Sequence, residues 1–328
     1  MRTLGKFLGR GLILLIFLVG AAWLFGPYEN ADLKTAFEPR KFGEGVQVYF
    51  ETIESRFDDI TPGVEKRVIW AGQQEIRTPV SVLYVHGFSA TSEEIRPVPD
   101  RIATALGANL VYTRLHGHGR GADPMAEATV QGWMRDTAEG LAAARAVGDR
   151  VVVIATSTGG TLVAAALQDP VMSEKVDAAI LVSPNFGINH PLAFTSTWPF
   201  ARNIIRLAEG ERRLSTPGTK AEAKYWSYNY PTSSVAVMAA LVKAVVALDF
   251  SNINIPTLFW ISDDDKVVRP DITRTIADRW GGPVTIKTVT MGPGDDPSSH
   301  VISGDIMSPG QTDIAVDGML GWLEKGLN

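Results

Sequence analysis

Residues 151–168 read VVVIATSTGGTLVAAALQ, and this stretch decides the fold class. Its first six residues form an unbroken apolar, mostly β-branched run, which is typical of a strand buried on both faces of a parallel sheet. The small residues that follow predict a helix from Gly159 to about Leu167. A buried strand that passes directly into a helix predicts one unit of an α/β sheet.

The same alternation extends in both directions along the chain. It predicts further strands at 64–71, 80–86, 109–114, 178–183, 256–262 and 283–289. Helices are expected at 97–106, 126–147, 270–280 and 312–325. The aromatic-rich block 185–250 lacks a clear central strand and predicts a mostly helical cap inserted over the sheet. We therefore expect an α/β fold with a mostly parallel central sheet flanked by helices, divided into residues 1–28, 29–184, 185–250 and 251–328.

Residues 1–28 predict a membrane segment. Arg2, Lys6 and Arg10 precede an uncharged apolar run, 11–26, and Glu29 follows it. This charge order predicts a single-pass anchor with a cytoplasmic N-terminus and an exported body. The alternative is a signal peptide that is cleaved, which leaves the body periplasmic or secreted.

Composition excludes several function classes. The 328 residues include 31 Lys plus Arg and 36 Asp plus Glu, for a formal net charge of −5. A net acidic chain without a basic run argues against nucleic acid as the partner. The chain has no cysteine, which excludes a disulfide framework, Cys-ligated zinc and a thiol nucleophile.

The turn between the strand and the helix carries the chemistry. ATSTGG at 155–160 matches the nucleophile pattern Gly-x-Ser-x-Gly, except that Ala155 replaces the first glycine. A serine on such a tight, strained turn needs small neighbours. The N-terminus of the following helix also presents backbone N–H groups to developing negative charge. Ser157 is therefore the candidate nucleophile, and the alternative is a loop serine that caps a helix.

Two later loops supply the groups that a serine nucleophile needs. SDDDKVV at 262–268 follows a strand and offers Asp263, Asp264 and Asp265 as carboxylates that could orient a histidine. SSHVI at 298–302 follows the last strand and places His300 as the candidate general base. A serine alone is a poor nucleophile, so this proton acceptor is required.

These strings resemble the α/β-hydrolase superfamily, and within it bacterial carboxylesterases and monoacylglycerol-lipase-like enzymes, over about residues 65–325. The strings that carry the resemblance are HGF at 86–88, RLHGHG at 114–119, STGG at 157–160, DKVV at 265–268 and SHVI at 299–302. The resemblance implies that Asp265, rather than Asp263, is the acid. It also implies that the N–H groups of Phe88 and Thr158 form the oxyanion hole. The SPGQ stretch at 308–311 is unusual and is expected outside the site.

The remaining histidines are expected to have structural roles. His86 is expected to stabilise its turn, and His116 and His118 form too weak a pattern for a metal site. His190 lies in the expected cap without a partner in the sequence. The aromatic residues of the cap are expected to pack within it, and the alternative is that some line an apolar pocket.

The sequence thus predicts a serine hydrolase that cleaves a small acyl ester, for which a lipid-derived ester is one option, through an acyl-enzyme and without a metal or an organic cofactor. The same residues would also serve an amide, a thioester or a carbon–carbon bond. A non-catalytic binding protein with this fold is a further alternative. The acyl chain length and the alcohol group of the substrate, the mobility of the cap and the oligomeric state stay open.

Overall fold

A computed structural model describes residues 2–326, with side chains from Lys6 onward; Met1, Leu327 and Asn328, which belong to the expected terminal segments, lie outside the described residues. The described chain forms a seven-stranded sheet of order β1-β3-β2-β4-β5-β6-β7. Its strands are β1 Arg67–Ile69, β2 Thr78–Val85, β3 Asn109–Tyr112, β4 Gly148–Thr156, β5 Val176–Val182, β6 Thr257–Ile261 and β7 Val284–Thr288. Only the edge strand β1 is antiparallel to its neighbour, within this described sheet.

The described chain forms ten α-helices, most of which pack on the two faces of the sheet. They are α1 Arg2–Phe25, α2 Val46–Glu54, α3 Val98–Ala105, α4 Val130–Val147, α5 Thr158–Ala166, α6 Ala201–Glu209, α7 Lys220–Tyr225, α8 Ser234–Val246, α9 Pro270–Ala277 and α10 Thr312–Gly326. Helix α4 begins later than position 126 because Thr129 caps it, its hydroxyl accepting a hydrogen bond from the Gly132 N–H at 3.0 Å.

Strand β4 explains the two-layer core. Val151 and Val153 belong to the core shared with helices α2, α4, α5, α8 and α9. Val152 and Ile154 belong to the opposite core, shared with α3 and α10. Successive side chains of a strand point to opposite faces, so a continuous apolar run fills both layers.

Helix α8 divides the block that the sequence assigns wholly to a cap. Its residues Val237, Leu241 and Val245 are buried in the same core as Leu162 of α5. The helix therefore packs against α5 and α4 of the core, as well as against the cap helix α6, and its apolar sequence suits either place. We propose that the inserted cap comprises 185–233, which shortens the expected cap of 185–250.

Helix α1 stands apart from this core. Its segment Lys6–Phe25 is long and apolar enough to cross a membrane, by length and composition alone, and none of its most apolar window is buried in the protein. The last turn of α1 meets the cap, where the Trp23 and Trp198 rings lie 5.8 Å apart in an edge-to-face arrangement.

Candidate active site

Ser157 lies at the sharp turn between β4 and α5. Its backbone has φ 52° and ψ −118°, in a region that non-glycine residues rarely adopt. Gly159 is required here because a Cβ at that position would lie 2.3 Å from the Val85 carbonyl oxygen. Ala155, which replaces the usual glycine, is a fully buried β4 residue paired with Val85 and Leu181, so a methyl group fits there.

The structure brings Ser157, Asp265 and His300 together from three distant segments. The Ser157 hydroxyl lies 3.0 Å from His300 Nε2. His300 Nδ1 lies 2.8 Å from Asp265 Oδ2. All three residues are buried. The result is one continuous hydrogen-bonded chain from hydroxyl to imidazole to carboxylate.

The geometry around Asp265 fixes the tautomer of His300. The second carboxylate oxygen, Oδ1, accepts the backbone N–H groups of Val267 and Val268 at 2.8 and 2.9 Å. Oδ2 is thereby aimed at Nδ1–H of His300, which leaves Nε2 free to accept from the serine. Asp263 points elsewhere and pairs with Arg274 at 2.7 Å.

Electrostatics prepare His300 to take a proton. Burial lowers the pKa of this imidazole, but the charge and hydrogen bond of Asp265, together with the charges of Glu94 and Asp296, raise the pKa above its ordinary value. Protonation of Nε2 is favoured because the carboxylate stabilises the resulting imidazolium.

The amides of Phe88 and Thr158, the expected oxyanion donors, lie on the two turns that flank the serine. Within the described residues, neither N–H donates to another protein group. The first turn runs directly beside the serine, since a Cβ built at Gly87 would lie 3.1 Å from the Ser157 Cβ. Thr158 opens α5, where the first amides of a helix lack intrahelical acceptors.

Asp296, a residue that was not predicted from the sequence, supports the loop that carries His300. Its carboxylate accepts backbone N–H groups from Ser298, His300 and Val301 at 2.9, 3.0 and 2.9 Å. The Asp-Pro-Ser order suits such a turn, so the signal was present although it did not distinguish Asp296 from its neighbours.

The SPGQ stretch, which the sequence places outside the site, also supports this loop. The Ser308 hydroxyl accepts the Asp296 N–H at 3.0 Å. The neighbouring carboxylate, Asp295, accepts the Gly310 N–H and the Gln311 side-chain amide, each at 2.9 Å. Residues 308–311 therefore hold the base of the loop that carries His300.

Glu94 is a second residue that the sequence analysis missed. It is buried, and its carboxylate accepts the Gly87 N–H at 2.7 Å and the Tyr84 hydroxyl at 2.9 Å. The Tyr84 hydroxyl lies 3.0 Å from the Thr156 hydroxyl, which links this group to the strand before Ser157. Burial raises the pKa of Glu94 to about 7, although these hydrogen bonds and the charge of His300 oppose the rise.

Two other histidines, His86 and His118, have hydrogen-bond partners of their own. Buried His86 donates from Nδ1 to the Gly87 carbonyl at 2.9 Å and accepts the Leu115 N–H at Nε2 at 3.1 Å. Burial lowers the pKa of His86 to about 4, which keeps it neutral. His118 is buried and donates to the His116 carbonyl at 3.1 Å. Among residues 2–326 no three His, Asp or Glu side chains group as metal ligands.

A cavity of about 330 Å³ adjoins Ser157 and His300. Apolar lining comes from Phe88, Ile188, Trp226, Tyr230, Val235 and Met238. The polar groups include Asn189, His190, Arg213 and Lys266. Of the aromatic residues in the block 185–250, Trp226 and Tyr230 line the cavity, while Phe194 and Trp198 pack against each other outside it.

Comparison with known proteins identifies the family. The family model described as "Serine aminopeptidase, S33" matches residues 78–292, well over half of the chain. The chain belongs to this family. A thermostable monoacylglycerol lipase from Bacillus sp. (strain H-257) is 29% identical over 196 residues, which cover 58% of this chain and 73% of that lipase.

Solved structures agree on the fold of this S33-family chain. A structure from work on LipS and LipT, two metagenome-derived lipolytic enzymes, has a TM-score of 0.63 at 21% identity and covers 81% of this chain and 99% of that one. A soluble variant of monoglyceride lipase from Saccharomyces cerevisiae has a TM-score of 0.56 at 13% identity, with 80% and 91% covered. The predicted α/β-hydrolase fold is confirmed, and the chain is a serine hydrolase with esterase and lipase relatives.

Proposed function

We propose that this protein cleaves an acyl ester with Ser157 as nucleophile, His300 as general base and Asp265 as the group that orients the base. The observation that carries the proposal is the hydrogen-bonded chain of 3.0 and 2.8 Å through these three residues, beside a cavity with apolar walls. His300 Nε2 faces the serine hydroxyl and can take its proton, while His300 Nδ1 faces the carboxylate that orients the ring.

The reaction begins when Ser157 Oγ attacks the ester carbonyl carbon and His300 Nε2 takes the hydroxyl proton. The carbonyl oxygen becomes an oxyanion, which the N–H groups of Phe88 and Thr158 stabilise, with an effect of about 3–4 kcal/mol per donor in comparable sites. The carbon–oxygen bond to the alcohol then breaks, and His300 returns its proton to the departing alcohol. Water, deprotonated by His300, hydrolyses the acyl-enzyme and releases the carboxylic acid and Ser157.

The cavity supports a substrate with an acyl chain and a small polar alcohol. Trp226, Val235 and Met238 offer apolar surface for the chain. Asn189 and Arg213 offer donors that suit hydroxyl groups. The relative from Bacillus is a monoacylglycerol lipase. We therefore propose a monoacylglycerol as the first substrate to test.

An amide is the second candidate bond, because the description of the family names a serine aminopeptidase. An aminopeptidase needs a carboxylate that can bind the free ammonium of its substrate. The two carboxylates that line the cavity are Glu94, which accepts both of its hydrogen bonds at Oε2, and Glu209, which pairs with Arg213 at 3.0 Å. Ester hydrolysis is favoured because the relative from Bacillus is a monoacylglycerol lipase.

The test compares p-nitrophenyl butyrate, p-nitrophenyl octanoate and a monoacylglycerol with alanine p-nitroanilide, using the full chain in detergent. We expect ester cleavage that falls by roughly 10³-fold or more in Ser157→Ala. Ser251→Ala, at an exposed serine far from the cavity, is the matched control and keeps wild-type activity. Equal activity in wild type and Ser157→Ala, or cleavage of the anilide alone, contradicts the proposal.

We also propose that α1 is retained as a membrane anchor, with a cytoplasmic N-terminus and an exported body. The chain just after α1 is fitted to the cap: the Pro27 carbonyl accepts the Phe200 N–H at 2.8 Å, and Glu29 pairs with Arg202 at 2.7 Å. A cut near residue 20 would leave Pro27 and Glu29 in place, so the proposal of an anchor rests on the segment Lys6–Phe25, which is long and apolar enough to span a membrane. Mass spectrometry of the mature N-terminus tests this, and a start beyond residue 20 supports a cleaved signal peptide instead.

A further inference from the structure

Residues 188–200, named here the lip, have two different sides. On one side, Ile188, His190, Ala193 and Ser196 line the cavity that contains Ser157. On the other side, Leu192, Phe194, Trp198 and Phe200 are exposed large apolar side chains. Elsewhere outside α1 the described chain exposes such side chains mostly one at a time, as at Val171 and Ile314. A concentration of apolar surface on a water-facing loop indicates a partner.

The outer side of the lip continues the surface of α1. The Trp198 ring contacts Trp23 at 5.8 Å and Phe194 at 5.4 Å, so the three rings form a row. A Cβ on Gly26 would lie 2.7 Å from Pro199 Cβ, which shows how closely the end of α1 approaches the lip.

These contacts fix the depth of the lip relative to a bilayer. A helix rises 1.5 Å per residue, so Trp23 lies only about 3 Å along the axis from Phe25, where α1 ends. If α1 spans a membrane, Trp23 stands at the boundary between headgroups and hydrocarbon, where tryptophan is enriched. The Trp198 ring, 5.8 Å from Trp23, then lies close to this boundary, and the Phe194 ring lies 5.4 Å from Trp198.

We infer that the lip is a second membrane contact, whose outer side enters the headgroup–hydrocarbon boundary of the bilayer that holds α1. A lipid ester then reaches Ser157 by crossing the lip into the cavity, without passing through water. The inference rests on the proposed ester hydrolysis and on α1 as anchor. Apolar side chains on an interfacial segment bury about 5–10 Å into that boundary.

The first experiment separates access from chemistry. The full chain is placed in phosphatidylcholine nanodiscs, and the double variant Leu192→Asp/Phe194→Asp is compared with the control Val171→Asp, at a residue 65% exposed outside the lip. We expect the double variant to hydrolyse p-nitrophenyl butyrate within about twofold of wild type. Its rate on a long-chain monoacylglycerol in the disc should fall at least about tenfold, because the lip loses two apolar side chains that favour its insertion into the bilayer boundary. Equal rates for wild type and double variant on the embedded lipid overturn the inference.

The second experiment is independent of activity. Because the chain has no native cysteine, Leu192→Cys and Val171→Cys can each carry one environment-sensitive fluorophore. We expect spin-labelled lipid in the disc to quench the label at 192 and to leave the label at 171 unaffected. A label at 192 that reports water and escapes quenching contradicts the membrane contact. If wild type cleaves no ester while the label at 192 is quenched, the proposed function fails, and with it the route of a lipid ester to Ser157, whereas the membrane contact of the lip stands.

Discussion

Replacement of Asp265 by asparagine tests the origin of the His300 tautomer. Oδ1 of Asp265 accepts the N–H groups of Val267 and Val268, so in Asp265→Asn the side-chain oxygen must stay at that position. The new NH₂ group then replaces Oδ2, which lies 2.8 Å from His300 Nδ1. An NH₂ donor there requires Nδ1 to accept, which places the proton on Nε2 and directs it at Ser157. The base is then in the wrong tautomer for attack.

The expected effect is large because the geometry is otherwise kept. In a serine protease with the same arrangement, this substitution lowers kcat about 10⁴-fold, which corresponds to about 5.5 kcal/mol of transition-state stabilisation at 1.36 kcal/mol per factor of ten. Asparagine has nearly the shape of aspartate, so the fold is retained, and a thermal melt near that of wild type verifies this.

The assay is the kcat for p-nitrophenyl butyrate between pH 6 and 9. Asp263→Asn is the matched control, since Asp263 lies two residues away, pairs with Arg274 and is more than half exposed. We expect the control to remain within about twofold of wild type, because surface pairs contribute little. The reasoning is refuted if Asp265→Asn retains more than about a tenth of wild-type kcat, or if Asp263→Asn shows the larger loss.

Three further predictions follow from the surroundings of the site. Asp296→Ala should lower kcat about 10–100-fold with little change in KM, because three amides of the His300 loop lose their acceptor; Asp296→Asn, which can still accept, should retain more activity, and steady-state kinetics that rank the two in the opposite order contradict this role. For Glu94→Gln, thermal melts should show the variant gaining stability relative to wild type as pH rises from about 4.5 to about 7. The pKa of Glu94 is raised from 4.5 to about 7 in the folded state, so deprotonation of the unfolded chain across this window costs wild type about 3 kcal/mol, which glutamine avoids; a difference independent of pH is incompatible with a buried carboxyl that is protonated below pH 7. Gly159→Ala should destabilise the fold by about 3 kcal/mol or more, since its Cβ would lie 2.3 Å from the Val85 carbonyl oxygen, whereas Gly72→Ala, in open space, should be neutral in denaturant unfolding; similar midpoints for the two variants contradict the close approach.

Local patterns were sufficient for the centre of the fold. The run from Val151 to Thr156 predicts β4 because both faces of that strand are apolar, and small residues predict the turn and α5. Candidate residues were found where they follow a strand, as Asp265 and His300 do, because ends of parallel strands meet at one edge of the sheet. Side-chain chemistry at strand ends predicted Ser157 and His300, whereas the choice of Asp265 over Asp263 came from the resemblance to α/β-hydrolases.

Features that depend on tertiary packing could not be predicted from the sequence. Glu93 and Glu94 are adjacent and chemically identical, yet Glu93 pairs with Arg67 and Arg96 while Glu94 is buried against the Gly87 turn. Only the packed structure distinguishes them. The link between Asp296 and Ser308 likewise joins loops whose approach no local pattern encodes.

Covalent labelling tests the central claim most directly. The full chain is treated with a fluorophosphonate, digested with trypsin, and the peptide of residues 151–175 is examined by mass spectrometry. We predict one adduct per chain, located on Ser157, absent from Ser157→Ala and formed far more slowly by His300→Ala, since the imidazole activates the hydroxyl. Folded enzyme that hydrolyses esters but carries its adduct on another residue, or carries none, would contradict the account.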